Sequence, residues 1–181
     1  LFKEGNQNRT SGNMESIWVM QFEYNTTGGG GEYSDWTRRA WNPRYWNGVT
    51  GMVLCDSLGG RGLAQIQPLT WWIEGDGFYS QGDMRNSEYN IKRHWYYNDP
   101  KYPELLGKEV PVTESTRKRS QIYPVITKFF YGKEDNLTYT GNSKDRMKFR
   151  LAETYLLKAE ACIQQKKYAE AAEAINAVRR R

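Results

Sequence analysis

The sequence predicts a mainly α fold, in which a C-terminal helical hairpin follows a long, irregular, loop-rich region with a few short strands. Three observations predict it. Apolar and small residues recur at steps of three and four through residues 147–178, the mark of a helix face. Gly, Pro, Asn and Asp interrupt most of what comes before, leaving only short apolar segments. Aromatic residues make up 14% of the chain against 38% for all hydrophobic residues, so Tyr and Trp carry much of the packing. At 181 residues there is enough chain for one domain with its own core. The division expected is 1–145 for the irregular, aromatic-rich region and 146–181 for the hairpin, both in one domain that further sequence would complete.

From the N-terminus, Met14 to Glu23 is a β-branched and aromatic run suited to a buried strand. Asn25-Thr26-Thr27 then leads into Gly28 to Gly31, four glycines with no side chain to pack, which predicts a loop. Gly59-Gly60-Arg61-Gly62 and Asn98-Asp99-Pro100 are turn signals within the irregular stretch from Tyr33 to Tyr139. Tyr123 to Phe129 reads as a short extended piece. From Met147 to Gln165, Ala152, Tyr155, Leu156, Ala159 and Ile163 share one helix face. Lys166-Lys167 interrupts the stripe, and Tyr168, Ala171, Ala172, Ile175 and Val178 restart it. Two such stripes with a minimal connection bury each other only if the helices run antiparallel.

This hairpin resembles a tetratricopeptide repeat. Ala159-x-Ala161, Tyr168 and Ala171 match the small residue of a first helix, the turn aromatic and the small residue opening a second. Lys166-Lys167 stands where Gly-Asp is usual, and Cys162 replaces the usual first-helix aromatic. A lone repeat cannot bury its own face, so its packing partners are expected in the irregular region or in sequence beyond this chain.

The net charge of +5 comes from dispersed Lys and Arg, with local runs at Arg117-Lys118-Arg119 and Arg179-Arg180-Arg181. No zinc-finger or RNA-recognition motif accompanies them, so nucleic acid is not an expected partner. Cys55 and Cys162 permit one disulfide without requiring it. No apolar run approaches the roughly eighteen residues of a membrane-spanning helix. Leu1 to Gly5 has neither the basic start nor the apolar core of a signal peptide, and the chain is expected to continue a longer one.

Arg150-Leu151-Ala152-Glu153, Ala159-Glu160-Ala161 and the ending Ile175-Asn176-Ala177-Val178-Arg179-Arg180-Arg181 resemble, in this order, the C-terminal signature of the SusD/RagB family. Upstream, Glu15-Ser16-Ile17-Trp18 resembles the family's Glu-Ser-Ile-aromatic strand. Gly59-Gly60-Arg61-Gly62 with Pro68-Leu69-Thr70 resembles its glycine turn and proline segment, and Asp83-Met84-Arg85 its Asp-x-Arg element. The resemblance implies a SusD-like fold and a non-catalytic nutrient-uptake protein. Members are larger, lipid-anchored on the extracellular face of the outer membrane in Bacteroidetes, and paired with a SusC-like TonB-dependent transporter. They hold glycans, and sometimes peptides, at its mouth. The anchoring cysteine is expected outside this chain.

A site for such a ligand is expected between Tyr33 and Trp46. Tyr33, Trp36, Trp41, Tyr45 and Trp46 follow neither helical nor strand spacing, and polyglycine precedes them. A pyranose ring packs its C–H face on a π surface while its hydroxyls bond to polar side chains. Asn42, Arg44 and Asn47 offer those bonds; the alternative is that the rings fill a loop-rich core. Loops after the Glu-Ser-Ile strand supply glycan contacts in SusD-like proteins, which the resemblance extends to these residues. Trp71-Trp72 and Trp95-Tyr96-Tyr97 read as core, and Asp83 with Arg85 as a turn-fixing pair.

Two other functions stay open. A secreted glycoside hydrolase needs only two carboxyl groups, and Asp35, Asp56, Asp76 and Asp83 are available. A tetratricopeptide-type module would dock protein or peptide. Neither a nucleophile elbow beside the sole histidine, His94, nor a His-Glu-x-x-His, Cys-x-x-Cys, EF-hand or phosphate-loop motif occurs. No catalytic residue, metal or cofactor is therefore expected.

Overall fold

The computed structural model describes residues 5–24, 26–29, 36–73, 78–131, 138 and 142–180. Its regular elements, in chain order, are β1 (Ser16–Met20), α1 (Thr37–Trp41), α2 (Thr70–Ile73), β2 (Ile91–Lys92), α3 (Glu114–Lys118), β3 (Val125–Ile126), β4 (Arg146–Arg150), α4 (Leu151–Gln164) and α5 (Tyr168–Arg179). Helix is the main regular structure, joined by few short strands and long irregular stretches. No described helix is long and apolar enough to cross a membrane. Cys55 and Cys162 are both free thiols.

The chain forms two compact units, Leu1–Glu23 with Lys144–Arg181, and Tyr24–Ser143. The first 23 residues group with the hairpin, whose own unit begins at Lys144. The reason is β4. Arg146-Met147-Lys148-Phe149-Arg150 alternates charged and apolar side chains, the period of a strand, and it pairs antiparallel with β1. Helix α4 therefore starts at Leu151, not Met147. The predicted strand within Met14–Glu23 exists, but it is not a buried one. Ile17, Trp18 and Met20 are exposed, and Trp18 stacks on the equally exposed Phe149 across the pair, at 5.7 Å and 25°.

β4 runs into α4 without a loop, and the first helical amide, Leu151 N–H, donates to the carbonyl of Glu15 at 2.8 Å. A donor that would otherwise lack an intrahelical partner is thus satisfied by the N-terminal segment. The helices meet through Ala159, Cys162, Ala171 and Ala174, all buried, with Tyr155 and Ile175 alongside. Small side chains let the backbones come close, and a three-residue connection makes the pair antiparallel. The buried stripe of α4 is Ala152, Ala159 and Cys162, so Leu156 and Ile163, expected on it, are exposed.

The link closes α4 with a Schellman arrangement. Lys167 N–H donates to Cys162 O at 2.8 Å, Lys166 N–H donates to Ile163 O at 2.9 Å, and Lys166 sits at φ +61°. Glycine is the usual residue there, because the left-handed conformation crowds a Cβ.

In the second unit the core is Tyr45, Met52, Trp95, Val110, Ile122, Tyr123 and Val125. Trp95 is fully buried and donates its indole N–H to Tyr123 O at 3.1 Å. The expected extended piece at Tyr123–Phe129 is β3, which pairs antiparallel with β2 (Ile91 opposite Ile126), followed by a 3₁₀ turn over Thr127–Phe129.

Lys166→Gly should stabilise the hairpin by about 0.5–1 kcal/mol, the relief of left-handed strain outweighing the greater freedom of unfolded glycine. Urea unfolding followed by helical circular dichroism tests this, and a lower midpoint for the variant contradicts the turn geometry.

Candidate functional site

The region expected to hold ligand begins with one turn of helix. Trp36 O accepts Ala40 N–H at 2.8 Å, and Arg38 O accepts Asn42 N–H at 2.9 Å, ending α1. The segment after the glycine turn lies against this turn of helix. Leu63 and Ala64 N–H both donate to Arg39 O, at 2.7 and 3.2 Å, and Ile66 N–H donates to Ala40 O at 2.9 Å. Asn42 ties the turn from the other side, donating its side-chain amide to Leu58 O at 3.2 Å and Gly60 O at 3.0 Å. The approach is so close that a Cβ on Gly62 would stand 2.2 Å from Asn42 O and 2.4 Å from Pro43 O. Only glycine fits there, whereas Gly59 and Gly60 are left-handed, at φ +83° and +69°.

The residues expected at the site separate on burial. Tyr33 lies outside the described residues. Trp36 is exposed, and the guanidinium of Arg39 lies over its ring, 4.2 Å from the centroid. Trp41 is half-buried and stacks on Phe129 at 5.3 Å. Asn42 is buried with its amide committed to the turn, and Tyr45 is fully buried. The Tyr45 hydroxyl donates to Cys55 O at 2.9 Å and accepts Cys55 N–H at 3.1 Å; burial pushes its pKa up to about 12. Arg44 is half-buried, its N–H donating to Ser120 O at 2.9 Å. Trp46 is half-buried, donates its indole N–H to Gly62 O at 3.3 Å, and carries the Arg61 guanidinium 5.4 Å from its ring centroid. Asn47 is exposed, and its carbonyl accepts from Gln121. Asn42 and Tyr45 are thus part of the core and do not offer a face to ligand, a correction that follows from their burial. Among the described rings of the group, Trp36 is the open one.

Trp71, expected in the core, is 62% exposed. It lies in α2, where successive side chains diverge by about 100°, so Trp72 turns partly inward while Trp71 faces out. Phe78, also exposed, meets both edge-on, with centroids 5.7 Å from Trp71 and 6.0 Å from Trp72, and Tyr79 edge-on at 4.8 Å. The Thr70-Trp71-Trp72 sequence gave the signal, two adjacent indoles that cannot share one side of a helical turn. Trp95 is in the core as expected, but Tyr96 is exposed.

Of the carboxylates considered for hydrolysis, Asp35 and Asp76 lie outside the described residues. Asp83 pairs with Arg85 as expected, accepting from its Nε at 3.0 and 3.1 Å and from its backbone N–H at 2.9 Å. These bonds lower the Asp83 pKa, the opposite of what a general acid needs. Asp56 accepts Ser57 N–H at 2.7 Å. His94 is exposed and bonded to Glu109 at 2.6 Å, which raises its pKa.

The model of the SusD family matches residues 14–181, nearly the whole chain. No curated protein and no solved structure matches it.

Two outcomes follow from this geometry. Gly62→Ala should destabilise by about 1–3 kcal/mol, as forced overpacking does, read as a lower urea midpoint with the slope unchanged. For the sole histidine, the Glu109 contact sets the sign. A raised folded pKa gives stability that is full below the unfolded value of about 6.5 and is lost as pH rises through the folded value. The His94 ring resonance should titrate above about 6.5, and Glu109→Gln should bring the midpoint down.

Proposed function

The chain belongs to the SusD family, and from that membership we propose that it binds glycans without transforming them and passes them to a SusC-like TonB-dependent transporter at the outer membrane. In this reading the whole protein is held on the extracellular face by a lipid anchor, and α4 with α5 is one tetratricopeptide-type unit of its scaffold. The family match over residues 14–181 carries the proposal.

The exposed rings support it. Trp71 and Phe78 offer an open apolar surface, and Trp36 a second. Each suits the C–H face of a sugar ring, while hydroxyls find bonds at the rim. Single contacts of this kind are weak. Retention then comes from several rings on one chain of sugars, reinforced by confinement beside the transporter. The lowered Asp83 pKa and its arginine clasp favour a carrier over a hydrolase that would use this residue as acid.

Affinity electrophoresis through starch, xylan, galactomannan and laminarin should show retardation in at least one gel, with labelled oligosaccharide of that type recovered uncut. Trp71→Ala should weaken binding about 5- to 30-fold, the loss of 1–2 kcal/mol expected of one aromatic anchor. Release of new reducing ends, or unchanged retardation in Trp71→Ala and Trp36→Ala alike, overturns the assignment.

A further inference from the structure

Two arginines are built into the same surface as Trp36 by backbone contacts. Arg39 is in α1, and its carbonyl holds both Leu63 and Ala64 N–H. Arg61 is in the glycine turn, fixed on one side by Gly60, whose carbonyl accepts from the Asn42 amide, and on the other by Gly62, which packs against Asn42 and Pro43 and accepts the Trp46 indole N–H. Both guanidinium groups lie over indoles, Arg39 at 4.2 Å from Trp36 and Arg61 at 5.4 Å from Trp46. A cation over an aromatic face is held in place while its N–H edges stay available.

Among the described residues neither arginine has a carboxylate partner, and Arg39 Nε is buried without a hydrogen-bond acceptor. A buried donor left so costs free energy unless something else accepts from it. The neighbouring charge makes this worse: burial first, and then repulsion by Arg61, lower the pKa of Arg39. Two like charges brought together on a glycine-locked frame, with donors to spare, are what an oxyanion relieves. Ala64 adds a mark of the same construction. It sits at φ +54°, a conformation that strains a non-glycine residue, and its N–H is held by Arg39 O and Asn42 O at 3.2 and 3.0 Å.

Resting on the glycan-binding reading above, we propose that the ligand is an anionic glycan. Its carboxylate or sulfate group lies between Arg39 and Arg61, beside the exposed ring of Trp36. Planar guanidinium groups bond a carboxylate or sulfate through paired N–H groups, and the ring beside them takes the apolar face of the same or the next sugar. Uronate and sulfate present one shared chemistry, two or three oxygens bearing negative charge on a pyranose.

The full chain is tested against dextran, dextran sulfate and polygalacturonate by affinity electrophoresis and calorimetry, beside the neutral panel already described. At least one charged polymer should bind more tightly than any neutral one, sulfate or carboxylate being identified by which of the two it is. Binding should weaken with added salt. Arg39→Gln and Arg61→Gln should each reduce it at least about tenfold, as loss of a charge-assisted bond does. Lys101→Gln with Lys158→Gln, which removes two positive charges elsewhere, should leave it unchanged. If Arg39→Gln lowers the melting temperature, Arg61→Gln decides, since Arg61 is only half-buried and stacked on one ring.

Retention of neutral polymers with no preference for the charged ones overturns the anionic ligand and leaves the glycan-binding reading standing. So does equal weakening by the arginine and lysine variants, which marks general charge attraction. Failure to bind any polymer, charged or neutral, overturns both.

Discussion

Most of the second unit hangs on the contact between Gly62 and the backbone of Asn42 and Pro43. The space left for a Cβ there is 2.2 Å from one carbonyl oxygen and 2.4 Å from the next, and main chain cannot move aside as a flexible side chain can. Asn42 closes the contact from its own side by donating to Leu58 and Gly60 carbonyls. Once this seam is closed, the segment to Ile66 has no choice but to follow α1, and Ala64 accepts a left-handed backbone to do so. The strain of one alanine, about 1–2 kcal/mol, is offset by two backbone hydrogen bonds and by the core they complete. The same seam fixes where Trp36, Arg39, Trp46 and Arg61 stand. A surface made of loops is thereby given the rigidity that loops lack.

The first unit solves a different problem. Its two helices bury little but alanine, cysteine and parts of Tyr155 and Ile175, too small a core to hold long side chains in place. The β1–β4 pair makes up for part of this. It supplies the partner for the first amide of α4, and Arg150 lies 3.5 Å from Glu15 across the junction. Asp145 adds two more ties, accepting from Phe22 N–H at 2.9 Å and from the Asn8 amide at 2.5 Å. Outward, Trp18 and Phe149 stack in the open, and Leu156, Leu157 and Ile163 are exposed along α4.

Where the sequence was legible, the signal was geometric and local. The start of α5 at Tyr168, the strand at Ser16–Met20 and the clasp of Asp83 by Arg85 all follow from spacing over a few residues. β4 carried such a signal too, since Arg146 to Arg150 alternates at period two, but Phe149 also falls on a helical stripe drawn backwards from Ala152. The tie was broken by pairing with β1, a contact across more than a hundred residues that no local window contains. Burial on α4 failed for a related reason. Ile163 is the more hydrophobic choice, yet the close helix contact is met by Cys162, and proximity of backbones outranks side-chain hydrophobicity there. The candidate site residues were the hardest to read, because sequence shows that rings are clustered and not which way they face.

A chemical criterion separates those rings better than their positions do. Trp95 and Trp46 each give the indole N–H to a backbone carbonyl, Tyr123 O and Gly62 O, and Tyr45 exchanges both hydroxyl bonds with Cys55. A polar handle committed to the main chain anchors the ring in the protein, and such a ring has a structural task. Trp36 and Trp71 have no such bond among the described residues, and both stand open to solvent. An exposed indole with an unused donor retains the two things a sugar needs, a flat apolar face and a hydrogen-bond donor at its edge. The arginine over Trp36 sharpens this distinction. Among the described residues that guanidinium is stacked on a ring but bonded to no carboxylate, positioned without being neutralised, which favours a partner that brings its own negative charge.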